Sequence, residues 1–197
     1  MWIMNLVWPL CALFGSVIWL GFYLRYGRMA GRAQPGRIPF VVTVAKAASH
    51  CGSGCALGDI CAEALLAFAP GLAVLFGFGS VFPHRIFANW VLDFLFAYAF
   101  GVFFQYYTIA PMRHLGVWPG IWAAIKADSL SLIAWQVGMY AFMAVAHFWI
   151  FQQGFHVRLG AGMPEFWFMM QIAMICGFAT SFPVNLILLR TGLKDAM

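Results

Sequence analysis

Residues 1–24, MWIMNLVWPLCALFGSVIWLGFYL, hold no charged side chain, and the first basic residues, Arg25, Arg28, Arg32 and Arg37, come after them. A secretory signal carries its positive charge in front of the apolar run, so this order reads the other way. At roughly 20 residues per crossing the segment is long enough to span a bilayer, and it is expected to stay as a first membrane helix.

The rest of the chain continues the pattern. Its 197 residues are 64% hydrophobic and only 9% charged, with a mean hydropathy of +0.87, whereas soluble domains are about 25% charged. Four further apolar runs are present, about Cys55 to Gly79, Ile86 to Ile109, Leu130 to Phe151 and Phe166 to Leu189. Each is long enough to cross as a helix. The fold class is therefore an all-α polytopic membrane bundle. The net charge of +5 does not indicate nucleic acid as a partner, because the basic residues sit in short segments between apolar runs. There they report orientation in the lipid bilayer.

That orientation also decides the number of spans. With Lys46 left out of the count, five helices and the N-terminus outside put Arg25, Arg28, Arg32, Arg37, Arg113, Lys126, Arg190 and Lys194 inside and only Arg85 and Arg158 outside. Letting Ile38 to Asp59 cross separately gives six helices and a split of six against four. The excess of basic residues on one side favours five, with the C-terminus inside. Pro39 to Ser49 and Trp118 to Asp128 are then short lead-in helices before the second and fourth spans. The chain reads as one integral membrane domain over 1–197, with the first span and a basic inside loop over 1–37. The two lead-ins match weakly: Lys46, Ala47, Ser49 and Gly58 recur as Lys126, Ala127, Ser129 and Gly138. Such a match suggests a parallel repeat about an axis along the membrane normal.

Chemistry concentrates in SHCGSGCALGDICAE, Ser49 to Glu63. In a helix Cys51, Cys55, Asp59 and Glu63 recur every four residues and share one face. Cys51 and Cys55 lie about 6 Å apart along the axis, close enough to share a soft ion with His50 or with Met112 or His114 from the inside loop. Asp59, Glu63 and Asp93 are ionisable groups within spans, which usually face a cavity or a partner. Asp93 is placed within reach of His84 or Arg85. Met139, Met143 and His147 form a second ladder at four-residue spacing, and thioether, imidazole and thiolate all suit Cu(I). Cysteine and methionine also serve as plain packing residues. Gly54 and Gly58 offer a small-residue face for close helix approach. Pro183 removes a backbone donor in the last span, with Asn185 beside it to satisfy the freed carbonyl.

Five cysteines, two of them in apolar runs, do not make a disulfide framework. No Walker loop, strand-borne GxGxxG, GxSxG or HExxH is present, so no catalytic residue is nominated. His50 and His114, at similar depth, leave haem as a lesser alternative cofactor to Cu(I), and the absence of CxxCH excludes covalent c-type attachment.

The segments HCGSGCALGD, LDFLFAYAFGVFFQYYTIAPMR, KADSLSLIAWQVGMY and FWFMMQIAMICGFATSFPVN resemble, in order and spacing, the prokaryotic multi-pass membrane family known as domain of unknown function 4396. The resemblance covers about Ala45 to Met197 and leaves the first span outside. It implies the family's histidine, cysteines and aspartate at His50, Cys51, Cys55 and Asp59, its PMR motif at Pro111 to Arg113, and its proline and asparagine at Pro183 and Asn185. It implies a membrane fold and a place in the prokaryotic inner membrane, with no settled activity. The expectation is a protein that binds or moves a soft metal ion, Cu(I) first. The alternative is an accessory or structural subunit packed against a larger membrane complex, or a homo-oligomer, with no ion or catalysis of its own.

Overall fold

The computed structural model describes residues 2–27 and 38–195. Arg28, Arg32 and Arg37, counted above for orientation, lie outside the described residues, as does Met197. The fold is all-α, with no strand among the described residues beyond an isolated bridge between Phe78 and Phe82. The helices are α1 (Met4–Phe22, prolonged by a π-helical turn, Tyr23–Gly27), α2 (Phe40–Phe68), α3 (Leu72–Leu75), α4 (Arg85–Arg113), α5 (Val117–Ala144, prolonged by π-helical Val145–Gly154) and α6 (Pro164–Arg190). All but α3 are long and apolar enough to cross a membrane.

The boundaries differ from the expected ones for reasons of backbone chemistry. Pro39 to Ser49 and Trp118 to Asp128 are not separate pieces but the opening turns of α2 and α5. No proline falls between Phe40 and Phe68 to break α2, and Pro119 stands in the first turn of α5, where its missing N–H costs little. The run assigned to Cys55–Gly79 is divided at its middle. Pro70 disfavours a helical conformation in the residue before it, and Ala69 sits at φ −131°, ψ 71°. Beyond Pro70 the chain makes the short turn α3 and then a loop that reverses at Gly77 and Gly79, both at positive φ.

α2 and α4 pack antiparallel through small residues. A Cβ on Gly54 would stand 2.8 Å from the Gly101 backbone, and one on Gly58 would collide with Ala97. Backbones meet this closely because packing, rather than the hydrophobic effect, holds helices together in lipid. α5 and α6 form a second antiparallel pair, in which Gly138 lies against the Cys176 carbonyl and Thr180, and Gly177 lies against Trp135.

The two pairs are copies of one plan, eighty residues apart. Gly58 and Gly138 are related by that shift, and so are the Phe96 and Cys176 backbones that they meet. Ser49 Oγ donates to the carbonyl of Ala45 at 2.8 Å, and Ser129 Oγ to that of Ile125 at 2.6 Å. A three-residue connector, 114–116, joins α4 to α5, so α2 and α5 start from the same end of the bundle. The pairs also touch crosswise, α4 on α5 and α2 on α6. This is the arrangement of a parallel repeat with its axis along the bundle.

α1 stands outside the repeat, against α2 and α6. Its length qualifies it to span, but its geometry is that of a hairpin. Ser16 leaves helical geometry at φ 49°, ψ −133°. The Trp8 ring then lies 5.6 Å from Phe22 and 5.3 Å from Tyr23, whereas residues fourteen apart in a straight helix are separated by about 21 Å. At the tip, Leu13 accepts a hydrogen bond from Gln171 Nε2 at 3.1 Å and the Phe14 ring meets Trp135. Trp2 contacts Tyr107, near the end of α4 that also carries Arg113, and Arg113 holds Asp195 through two 2.8 Å bonds. The expected arrangement, with the N-terminus at the end opposite the C-terminus, gives way to one with Trp2 and Asp195 at the same end.

Candidate ion pathway

α2 presents Cys51, Cys55, Asp59 and Glu63 on successive turns, and all four are buried. At the foot of this stripe lies a polar cluster made by three helices and the segment after α6. The helix ends in a turn in which the N–H groups of Leu193 and Lys194 return to the carbonyl of Leu188, with Gly192 at φ 72°. A side chain would be strained in that left-handed conformation, so glycine makes the reversal. Lys194 is thereby aimed back into the bundle. Its ammonium donates to Asp128 Oδ1 at 2.6 Å, Asn185 Oδ1 at 2.9 Å and Cys51 Sγ at 3.1 Å, and both members of the ion pair are fully buried. Cys51 Sγ donates to Asp128 Oδ1 at 2.8 Å and lies 3.2 Å from Ser131 Oγ. Asn185 Nδ2 is fixed by Ser131 Oγ and by the carbonyl and hydroxyl of Ser181. Burial alone lowers the pKa of an ammonium, but Asp128 and Cys51 outweigh it and hold Lys194 at about 12, so it is charged throughout the neutral range.

Two turns further along α2 are the acids. The register that sets Gly54 on Gly101 and Gly58 on Ala97 brings Asp93 of α4 level with Ala62, between Asp59 and Glu63. Asp59 has no hydrogen-bond partner for either carboxyl oxygen, and Asp93 has none for Oδ1. Both are 1% exposed. Beside them Tyr140 stacks on Trp90 at 4.7 Å and donates to its carbonyl at 2.9 Å. Above the acids a cavity of about 650 Å³ is lined by Glu63, His84, Arg85, Asn89, His147 and Arg158, among others. These residues belong to the end of the bundle away from the termini. Arg85 lies by Glu63 and donates to the carbonyl of Leu66 at 3.4 Å, so it serves the mouth of the cavity rather than Asp93.

The fold keeps three of the residues nominated for a soft-ion site together on α2 and sets Met112 apart from them. His50, Cys51 and Cys55 are fully buried, and the His50 ring nitrogens have no partner. The α2–α4 register carries Met112 down to the level of Thr43, about 10 Å below His50. Met112 is 42% exposed there, and His114 is the left-handed cap that ends α4. Among the described residues no three His, Cys, Asp or Glu side chains converge on a metal position. Met139 and Met143 are buried on α5, at the positions that the eighty-residue shift relates to Asp59 and Glu63. His147 lies in the π-helical extension, against Phe148, and lines the cavity. α6 continues through Pro183, and Asn185 serves the Lys194 cluster as well as the Ser181 carbonyl.

Sequence reasoning did not single out Asp128, Ser131, Ser181 or Lys194 as a site. One signal was present: Asp128 replaces Ala48 within the otherwise matching Lys-Ala-Xaa-Ser lead-ins.

Two antiparallel helix pairs around a buried polar line, with a folded-back helix at their flank, define a polytopic α-helical membrane protein. The chain belongs to the family described as Domain of unknown function (DUF4396), which matches residues 42–194. The match takes in both helix pairs and the Lys194 turn and leaves out α1. No match to a curated protein or to a solved structure was found.

Proposed function

We propose that the protein conducts protons across a membrane through the interior of α2, α4, α5 and α6. The observation that carries this reading is the pair of buried carboxyls at Asp59 and Asp93, with both oxygens of Asp59 and Oδ1 of Asp93 left without a partner, beneath an open cavity. Ionisable groups are costly in lipid and mark proton or ion routes when they face a polar interior. A proton entering the cavity reaches Glu63, then Asp93 and Asp59. Below them the line continues through Cys55 to the Cys51 cluster. By the distribution of basic residues, the end holding Arg25, Arg113, Lys126 and Arg190 faces the cytoplasm. Both termini are then inside, and the cavity opens outward.

The test is purified protein in liposomes with an internal pH dye and an imposed potential. Wild type acidifies the lumen, Asp59→Asn and Asp93→Asn abolish the response, and Glu63→Gln slows it. Flux absent in wild type, or unchanged in both aspartate variants, overturns the reading.

One observation favours Cu(I) as a second reading. Cys51 and Cys55 are free thiols on adjacent turns, and two sulfurs suit that ion. Lys194 would have to leave Cys51 first. Uptake of Cu(I) that is lost in the Cys51→Ser, Cys55→Ser double variant supports it. Protein that neither conducts nor takes up metal is left with the packing-subunit role.

A further inference from the structure

We infer that the pocket at the inner end of the polar line is a binding site for a primary ammonium group, which the chain fills with its own Lys194. An ammonium has three N–H donors and no acceptor. Lys194 meets three acceptors, each from a different helix: Cys51 Sγ of α2, Asp128 Oδ1 of α5 and Asn185 Oδ1 of α6. One is a full negative charge and the other two are neutral, so the site balances a single positive charge. Asn185 and Cys51 are also held by bonds that do not involve the lysine, and Asp128, whose Oδ2 has no partner, keeps the bond from Cys51. Asn185 is oriented through its amide nitrogen by Ser131 and Ser181, which leaves its carbonyl oxygen facing the ammonium. Ser131 in turn lies within reach of both Cys51 and Ser181.

Only the side chain of Lys194 occupies the site. Its backbone belongs to the turn after Arg190, outside the spans, and is tied to Leu188. The lysine is thus a cation on a tether that enters from the helix end. With its side chain cut back, the same acceptors remain in place around a vacated position of matching charge and donor number. A small primary amine or the ammonium ion fits that position. A quaternary amine carries the charge without any N–H and does not.

This inference deepens the proton reading by naming the cation at the inner end of the same line, but its test is separate from flux. Lys194→Ala protein in detergent is melted with increasing ethylammonium, and with tetramethylammonium at equal ionic strength. Lys194→Ala is expected to lower Tm. Ethylammonium should raise it again, by a shift that grows with the logarithm of concentration as for any ligand of the folded state, and tetramethylammonium should leave it unchanged. Adding Asp128→Asn should remove the response. Lys194→Gln, which keeps bulk and hydrogen bonding but no charge, should fold and ignore both amines. If Lys194→Ala gives no folded protein, the folded yield with and without ethylammonium becomes the readout, and recovery is expected only with the primary amine. Equal effects of the two amines, or no effect of ethylammonium on either Tm or yield, would overturn the ammonium site whatever the flux experiment shows.

Discussion

Cys51 and Ser131 occupy equivalent places in the two helix pairs, eighty residues apart, and they touch: Sγ lies 3.2 Å from Oγ. Residues related by a two-fold axis can meet only on that axis. The contact therefore marks where α2 and α5 cross it, and Lys194 and Asp128 gather at the same point. The polar line begins at the centre of the fold and not at its edge.

The ion pair at this centre is expected to show strong coupling. Removing one partner strands the other as a buried charge, which costs roughly 3–5 kcal/mol, whereas removing both with well-packed apolar groups is often close to neutral. Asp128→Leu and Lys194→Met should each lower Tm sharply, and the double variant should recover most of the loss. Additive losses in a double-mutant cycle would show that the two residues act separately.

The folded-back α1 gives a second expectation. Reporters fused at the N-terminus and the C-terminus should lie on one side of the membrane, with Gly160→Cys labelled by impermeant reagent from the other. An N-terminus on the side of Gly160 would require α1 to cross straight, and would rule out the hairpin at Ser16.

Gly58 seats α2 on the Ala97 backbone, and overpacking such a contact costs about 1–3 kcal/mol. Gly58→Leu and Gly54→Leu should both lower folded yield in detergent. Leu at the exposed Ala67 should be tolerated. Equal yields of all three would leave the helix contact with no role in stability.

The acids call for the opposite sign. Asp59 lacks a partner for either oxygen, and Asp93 and Glu63 stand beside it. Asp59→Asn removes a charge-bearing group from a site that does nothing to hold it, so Tm should stay level or rise even as proton flux disappears. A large fall in Tm would mean that the carboxylate is held by contacts other than those described, and flux loss in that variant would say nothing about conduction.

The α2 stripe was legible in the sequence because helical periodicity alone sets Cys51, Cys55, Asp59 and Glu63 in a row, and the lead-in match pointed to the repeat. The Lys194 site was not legible. Asp128 and Lys194 are 66 positions apart, and a lysine just past an apolar run reads as a flanking charge until the Gly192 turn reverses the chain. α1 was legible in part. Its composition satisfies the requirement for a span, while the bend at Ser16 leaves no mark in hydropathy. The alternative that completed the Cys51 and Cys55 site with Met112 or His114 rather than His50 depended on depth, and the antiparallel register, which no local pattern encodes, set Met112 two turns below His50.

The eighty-residue shift has one more consequence. It pairs Asp128 with Ala48, Asn185 with Gln105, Lys194 with His114 and Asp59 with Met139. Two identical two-helix subunits could not make this interior, since each acid near the axis would face its own copy. Joining both halves in one polypeptide frees each position to differ from its mate, so one half supplies the carboxylate and the cation while the other supplies alanine and an exposed imidazole. The polar line is a product of that division of labour between two halves of one plan and different sequence.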